Sequence, residues 1–368
     1  MSEIKVNSIK GVGASTAAIT VNNTDGTCTA NLTNRTNRNL IINGAMQVAQ
    51  RATTKNTTGA SSTYGTLDRY MVQIQSGTLT ESQQDLSSSD TPYTLGFRKY
   101  MRILNQSGIG AGAAQYAEID QRIEAQNVAQ SGWNYTSSSS FITLSFWVRA
   151  SVAQSYVGVL ISNDGTQRHY PFEISLSANT WTKITKTIPG DSGITINNDD
   201  GKGLTVSFIA YYGTNYTGGS GTFNAWNTTG SGLTRWPDMT TTWATTTNAT
   251  FDVTGVQLEV GSVATDFEHE PEYVTFPKCQ RYFQYWFNAV RFPNTSSQNH
   301  ATYHFPTPMR AAPTVVRTGD QAGSYESGST TGVMASNGQY KYYYSGLLSY
   351  GNSSSNAVGG YGTLDAEL

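Results

Sequence analysis

The chain has 368 residues, a formal net charge of −2, and only 13% charged residues. Charged residues are usually about 25% of a soluble domain, so this composition favours an extracellular β-rich structural protein over a cytosolic metabolic enzyme. The net charge of −2 does not indicate a basic stripe that could bind nucleic acid. No run of apolar residues approaches the roughly 18 that a membrane span needs. We therefore expect neither nucleic acid nor membrane insertion.

The first segment, residues 1–38, is polar and rich in Thr and Asn, with short alternations such as "EIKVNSI" and "AAITV". It has too little apolar mass for a core of its own. We predict an extended N-terminal arm that needs a neighbour, either another copy of the chain or a docking site.

The second segment, residues 39–276, is dominated by strand patterns. "FITLSFWVRA" alternates with period two, placing Ile142, Leu144 and Phe146 on one face, and "LTVSFIAYY" repeats the pattern. In "ATFDVTGVQLEV" the apolar phase changes at Gly255, where a β-bulge costs least. "AAQYAEIDQRIEAQNV" admits a helix, but strand or turn is favoured. We predict an antiparallel β-sandwich of the jelly-roll type.

The third segment, residues 277–368, starts at Pro277, which cannot donate to a strand ladder and so marks a boundary. We predict a C-terminal β module, which makes the whole chain all-β. Aromatic residues then occur on both strand phases, and a strand apolar on both sides must lie between layers. We predict that these residues pack either between the sandwich and the C-terminal module or against a sister chain near a threefold axis, flanked by Cys279 and Arg281. They are Tyr282, Phe283, Tyr285, Trp286 and Phe287.

A candidate carbohydrate site lies in residues 217–248, between two predicted strands. Sugar binding needs flat aromatic faces for the apolar side of a pyranose ring, plus polar groups for its hydroxyls. The candidates are Trp226, Trp236, Trp243, Arg235 and Asp238, with Tyr211, Tyr212 and Trp147 as a second possible platform. The alternative is that the tryptophans pack the loop onto its own sheet or a neighbouring subunit.

Few residues suggest a metal or a catalytic centre. Asp252, on the predicted last sandwich strand, is a candidate for a structural calcium because hard cations prefer carboxylate oxygens; the alternative is a solvent-facing carboxylate. No other cofactor is expected. A glycosidase needs two carboxylates across a cleft, whereas Glu268, Glu270 and Glu272 are bunched at a boundary and are interpreted as hinge surface. We therefore predict no enzymatic activity.

Several motifs in this order resemble the carbohydrate-binding-module-like jelly rolls of bacteriophage tail fibres, especially those of marine phages. They are "NLIINGAMQVAQR" (39–51), "LDRY" (67–70), "QRIEAQNV" (121–128), "TLSFWVRAS" (143–151), "WTKITKTIPGD" (181–191) and "VTGVQLEVGSVATDFEH" (253–269). "KCQRYF", "FPTPMRAAPTV" (305–315) and the ending "DAEL" resemble the C-terminal parts of the same fibres. The chain departs from plain modules at Ala45, Met46 and Gln47, where their opening motif carries an acid.

The resemblance implies a homotrimer on the virion surface. Residues 1–38 would bind another phage tail or head protein, and the globular modules would reach host surface glycans. The opening residues lack the apolar core of a secretory signal, which suits a virion protein released by lysis. The alternatives are a purely structural head fibre or tail adaptor without a ligand and, less favoured, a polysaccharide depolymerase.

Overall fold

The computed structural model describes residues 6–10, 12, 19–21, 28–30, 37–228, 235–291, 299–320, 333–334, 343–350 and 357–368. The fold is mostly β, with 45% strand and 8% helix. The predicted all-β class is therefore confirmed.

The strands of the first two segments follow in chain order. They are β1 (Ser8–Ile9), β2 (Ile19–Val21), β3 (Cys28–Ala30), β4 (Thr54–Thr58), β5 (Ser61–Thr63), β6 (Tyr70–Ile74), β7 (Thr78–Asp85), β8 (Lys99–Asn105), β9 (Tyr116–Glu124), β10 (Phe141–Ala150), β11 (Gln154–Ser162), β12 (Arg168–Leu176), β13 (Thr182–Pro189), β14 (Lys202–Tyr212), β15 (Asn227–Thr228) and β16 (Ala249–Val260). The short helices among them are α1 (Thr91–Thr94), α2 (Ala125–Ala129) and α3 (Thr242–Thr245).

The arm forms a small antiparallel sheet in the order β1-β2-β3. Ile9 pairs with Ile19, which in turn pairs with Ala30. Val6 and Ile9 are exposed at 45% and 55%. The expectation that the arm needs a neighbour stays a prediction.

The sandwich consists of two antiparallel sheets. One has six strands in the order β13-β10-β16-β8-β7-β4, and the other has seven in the order β15-β12-β11-β14-β9-β6-β5. Phe146 of the six-stranded sheet meets Phe208 of the seven-stranded sheet edge to face, with ring centroids 4.8 Å apart. Both rings are fully buried, and burying a ring of this kind contributes about 1.5–3 kcal/mol. The alternation in the sequence therefore identifies the core correctly.

The bulge predicted at Gly255 is present. Ser145 pairs with Gln257 and Trp147 with Thr254, so Gly255 and its neighbour together oppose a single residue of β10. The φ of Gly255 is +62°, a conformation that glycine adopts without steric cost. The bulge shifts the outward-facing side chains of β16 by one position.

The stretch around residues 113–128 is mainly strand, as favoured from the sequence. Tyr116–Glu124 is β9, paired with β14 and β6. The end of the stretch turns into the five-residue helix α2.

The residues around Pro277, where the C-terminal β module is predicted to begin, are helical. Pro277 lies inside α4 (Glu272–Gln280). Thr275 and Cys279 of this helix are buried, and the Cys279 thiol is free. Tertiary burial thus outweighs the missing N–H of one proline in a helix this short.

The C-terminal module contains β17 (Phe283–Arg291), β18 (Asn299–Met309), β19 (Thr314–Asp320), β20 (Val333–Met334), β21 (Tyr343–Tyr350) and β22 (Ala357–Asp365). They form two three-stranded sheets, β17-β22-β19 and β18-β21-β20. The module contacts the sandwich through its last residues. Arg69, which is 1% exposed, pairs with Glu367 and stacks 3.4 Å from the Tyr282 ring centroid.

Candidate functional site

The outer face of the six-stranded sheet carries an aromatic residue among polar ones. On β10, the side chains that point away from the core are those of Ser145, Trp147 and Arg149. Trp147 lies between Lys183 of β13 and Thr254 of β16. Its indole is half-buried, so part of the ring remains open to solvent.

Beside this indole lies a cleft of 340 Å³. Trp147 and Phe267 are half-buried, and Lys183, Asp266 and His269 are exposed at the rim. The cleft thus combines aromatic faces with a cation, a carboxylate and an imidazole. Its lining residues are Leu95, Phe97, Ser145, Trp147, Lys183, Gly255, Asp266, Phe267 and His269.

The bulge at Gly255 gives the cleft its shape. A Cβ atom at this position would lie 2.7 Å from Phe97 Cζ and 3.2 Å from Trp147 Cδ1. A contact as short as the first forces the neighbouring ring to shift, and such shifts in a packed region are destabilising. Glycine is therefore favoured at position 255 for two reasons: the backbone has a positive φ, and two rings approach it too closely for a Cβ atom.

Three further rings line the cleft together with Trp147. Phe97 lies 4.7 Å from Phe267 and 4.9 Å from His269, centroid to centroid, in tilted or edge-to-face geometry. Such pairs contribute about 0.5–1.5 kcal/mol beyond their buried area. His269 Nε2–H donates to the Leu95 carbonyl oxygen at 2.9 Å, which fixes the imidazole orientation.

Asp252 lies on the same face, but its carboxylate is fully buried between two arginines. Arg102 donates to both oxygens at 2.7 and 2.8 Å, and Arg149 Nε donates to Oδ2 at 3.0 Å. A calcium ion there would have to displace both guanidinium groups. The calcium site at Asp252 stays a prediction, and the expectation of a solvent-facing carboxylate is wrong for this residue.

The loop predicted to bind sugar lies over the outer face of the seven-stranded sheet. We call residues 213–228 and 235–241 the covering segment. Its Trp236 is 1% exposed and stacks on Tyr212, with centroids 5.6 Å apart and planes inclined by 20°. Arg235 N–H donates to the Tyr216 carbonyl, and Asp238 accepts from Thr217 Oγ1 at 2.7 Å.

The other predicted rings are also engaged in packing. Trp243, on α3, is fully buried and its Nε1–H donates to the Thr250 carbonyl at 3.1 Å. Trp226 is half-buried against Tyr170 and donates to the Pro189 carbonyl at 2.7 Å. Tyr211 is 2% exposed, and its hydroxyl donates to the Ala111 carbonyl.

These positions correct the sequence interpretation. A buried ring has no free face for a pyranose, so Trp236, Trp243, Tyr211 and Tyr212 do not form a sugar platform in this structure. The alternative interpretation, in which the loop packs onto its own sheet, describes them. Trp147, named as part of a second possible sugar platform, lines a cleft.

Beneath the covering segment lies a pair of carboxylates that the sequence pattern did not single out. Gln73 Nε2 donates to Glu118 Oε1 at 2.8 Å and to Asp120 Oδ2 at 2.7 Å, and Tyr212 donates to Glu118 Oε2 at 2.8 Å. Burial, and for Glu118 the neighbouring Asp120, raises the pKa of both carboxyls. The sequence signal for this pair was the motif "EID" on β9, because two acidic residues two positions apart share one face of a strand.

A buried histidine completes this outer face. His169 on β12 is 2% exposed. Burial lowers its pKa to about 3, with the Arg235 guanidinium adding to the effect. The imidazole is therefore neutral over the physiological range.

The aromatic run after α4 divides between two environments. Tyr282, Phe283 and Trp286 are buried, and the Arg51 guanidinium lies 3.7 Å above the Phe283 ring. Tyr285 and Phe287 are 52% and 56% exposed. Phe283 is therefore buried although it shares a strand phase with the exposed Tyr285 and Phe287.

The interdomain part of that contact includes Arg281. Its Nε and Nη2 donate to the two oxygens of Glu124 on β9, each at 2.8 Å. This bidentate pair, together with Tyr282, joins the C-terminal module to the sandwich.

The sequence did not predict a role in a site for three residues that line the cleft, Phe97, Phe267 and His269. Phe267 and His269 occur in "DFEH", two residues apart, which is the spacing of one extended face. They follow the last sandwich strand, so no sheet pattern drew attention to them. Phe97 lies in a short loop after α1, with no periodicity to place it.

Within the part of the chain that the structure describes, no helix is long and apolar enough to cross a membrane. Nor do the described residues include a group of three or more His, Cys, Asp or Glu side chains that could hold a metal ion.

No protein-family model matches the chain, and no curated protein matches it in sequence. Among solved structures it is similar to the enzymatically active domain of bacteriophage CBA120 tailspike protein 4, with 8% identity and a TM-score of 0.33 over 61% of this chain. The match spans 22% of that domain.

Two further solved structures are similar over most of their own length. The family 11 carbohydrate-binding module of Clostridium thermocellum, in complex with a β-1,3-1,4-mixed-linked tetrasaccharide, is 11% identical with a TM-score of 0.28, over 58% of this chain and 98% of the module. A cyclase from Fischerella sp. is 10% identical with a TM-score of 0.32, over 57% of this chain and 91% of the cyclase. At these TM-scores the likenesses say nothing about the residues of the cleft.

Proposed function

We propose that this protein is a non-enzymatic virion fibre-type protein that binds host surface glycans in the cleft beside Trp147. The observation that carries the proposal is the cleft itself. A half-open indole and Phe267 supply apolar faces, and Lys183, Asp266 and His269 supply polar groups at the rim. Its volume of 340 Å³ falls within the roughly 300–1,000 Å³ of small-molecule sites.

Binding without hydrolysis is supported by where the acids lie. Glycoside hydrolysis needs two carboxylates facing the scissile bond. Among the described residues that line the cleft, Asp266 is the one carboxylate. The closely spaced pair Glu118 and Asp120 is 6% and 4% exposed and lies on the other sheet. Incubation with host polysaccharide should therefore release no new reducing ends.

A multimer is supported by an exposed apolar face on the β17-β22-β19 sheet. Phe287 pairs with Tyr361, and Tyr285 lies in the next row, in which Thr363 pairs with Val316. Tyr285, Phe287, Val316 and Tyr361 are 52%, 56%, 50% and 37% exposed. Contiguous patches of this kind mark contact surfaces. In this proposal the partners are sister chains of a homotrimer, while residues 1–38 bind another phage tail or head protein.

The multimer is tested by mass in solution. Phe287→Ser should lower the oligomeric state seen by sedimentation, because it removes an exposed ring. Thr314→Ser, an exposed position on β19 of the same sheet, is the matched control. A wild-type chain that sediments as a monomer would contradict the trimer.

The glycan proposal is tested by screening the full chain against a glycan array and against host surface polysaccharide. We expect Trp147→Ala to weaken binding at least tenfold, since removal of a central aromatic anchor costs about 2 kcal/mol or more. Trp226→Ala is the control, because Trp226 is also half-buried but lies outside the cleft. A wild-type chain that binds no glycan would favour the purely structural virion component.

A further inference from the structure

A short segment forms the boundary between the cleft and the base of the N-terminal arm. We call residues 265–269 the strap and residues 37–39 the arm root. Phe267 and His269 of the strap line the cleft. Glu268, between them, points to the arm root instead. The sequence interpretation of Glu268 as solvated hinge surface is therefore wrong.

The Glu268 carboxylate binds three consecutive backbone N–H groups. Oε1 accepts from Asn37 N–H at 2.5 Å, and Oε2 accepts from Arg38 N–H at 3.0 Å and from Asn39 N–H at 3.1 Å. Hydrogen bonds to an ionised acceptor are about twice as strong as neutral ones. The strap's own backbone is held as well, because Glu268 N–H donates to Gln257 Oε1 of β16 at 2.7 Å.

Arg38 ties the arm root to the strap a second time. Its Nε donates to Thr265 Oγ1 at 2.9 Å, and its Nη2 donates to the Asp266 carbonyl at 2.5 Å. Glu259 of β16 lies 3.5 Å from Nε. Asp266 itself lines the cleft, so Arg38 holds a cleft residue by its backbone without entering the cleft.

Asn39 ties the arm root to the bulge. Its Nδ2 donates to the Val256 carbonyl at 3.1 Å, and its Oδ1 accepts from Leu258 N–H at 3.0 Å. Val256 follows Gly255, whose missing Cβ leaves room for Phe97 and Trp147. The strap and the bulge, which both line the cleft, are therefore hydrogen-bonded to the arm root.

We propose that Glu268 and Arg38 are positioning residues of the cleft, and that the arm root couples the arm to ligand binding. The inference rests on the proposed glycan-binding function for its ligand readout. Coupling between two sites is reciprocal. Loosening the arm root therefore weakens binding in the cleft, and an occupied cleft protects the amides of residues 37–39.

The first test needs no ligand. Hydrogen exchange is measured on the full chain for wild type, Glu268→Gln, Arg38→Met and the control Glu270→Gln. Glu270 lies two residues from Glu268 but pairs with Lys278 rather than with the arm root. We expect both positioning variants, and not the control, to speed exchange at residues 266–269 as well as at 37–39. Faster exchange confined to residues 37–39 would overturn the inference.

The second test measures affinity for the glycan that the array identifies. We expect Glu268→Gln and Arg38→Met each to raise Kd about tenfold, which lies within the usual range for coupled sites, with Glu270→Gln unchanged. Arg38 does not line the cleft, so an effect of Arg38→Met reports coupling. Unchanged Kd in both variants would overturn the inference. If wild type bound no glycan, the proposed function would fail, and the exchange experiment alone would decide on the coupling.

Discussion

The two outer faces of the sandwich are built from the same kind of alternating strand, yet one is covered and the other is open. On the seven-stranded sheet the covering segment buries Trp236 against Tyr212. On the six-stranded sheet Trp147 stays half exposed beside a cleft. Strand alternation decides which side chains leave the core. What lies above those side chains depends on the course of the loops, which decides whether an outward-facing tryptophan is buried or lines an open cleft.

The largest expected effect concerns the tryptophans that pack. Trp243→Ala should lower the free energy of unfolding by about 3–5 kcal/mol, because it empties a fully buried site. Trp147→Ala should cost less than about 2 kcal/mol, since its ring is half exposed and loses less buried area. Denaturant unfolding of both variants measures the difference. Equal losses would break the distinction between the two regions.

How far the sequence predicts this arrangement depends on the kind of signal. The phase change at Gly255 predicts the bulge, because apolar periodicity and glycine conformation act locally. The same periodicity puts Trp147 on the outward phase. Burial of Trp236 was not predictable in this way, because it follows from a loop folding back over a sheet formed by distant strands. Phe267 and His269 reach the cleft for a similar long-range reason, through the strap's hydrogen bonds to the arm root and to Gln257 of β16.

Helix α4 shows a different reason why part of the fold was not predictable from the sequence. Proline cannot donate to a strand ladder, and that local rule predicts a boundary at Pro277 but no helix around it. Burial of Thr275 and Cys279, together with the Lys278–Glu270 ion pair, holds the helix across it. The division into residues 1–38, 39–276 and 277–368 stays a prediction, with its second boundary inside this helix.

The second-largest expected effect tests whether the bulge at Gly255 shapes the open cleft. Gly255→Ala should destabilise the fold by about 1–3 kcal/mol more than Gly59→Ala, because its Cβ meets Phe97 in addition to requiring a positive φ. Gly59 has a similar φ, +69°, and a Cβ added there would meet nothing within 4 Å. Thermal unfolding and glycan binding are measured together. Equal stability and intact binding in both variants would show that the bulge does not shape the cleft.

The third expected effect is a pH dependence of stability that arises from the buried carboxyl of Glu118 under the covering segment. The folded-state pKa of Glu118 is raised, so between its unfolded value of about 4.3 and the folded value the native state holds more protons. Stability therefore falls as pH rises through that window, by up to about 1.4 kcal/mol per pH unit. Glu118→Gln should flatten this decline and raise stability at pH 7.

Urea unfolding between pH 4 and pH 8 measures that slope. Glu173→Gln is the control, since Glu173 is an exposed carboxylate on β12. A wild-type slope that Glu118→Gln leaves unchanged would mean that the carboxyl under the covering segment remains solvated.

The smallest effect concerns the polar rim of the open cleft. Lys183→Ala should weaken glycan binding about three- to fivefold, as expected for one hydrogen bond of roughly 1 kcal/mol. Lys186→Ala is the control, because Lys186 is on the same strand but does not line the cleft. Calorimetric titration resolves a change of this size. If the control lost as much affinity, general charge rather than the rim would be responsible.

The most direct measurement is a crystal structure of the chain with a glycan identified by the array. We expect sugar density over the indole of Trp147, between Lys183 and the strap that carries Phe267 and His269. Density on the covering segment beside Trp236 or Trp226, with the Trp147 cleft empty, would contradict the proposed site.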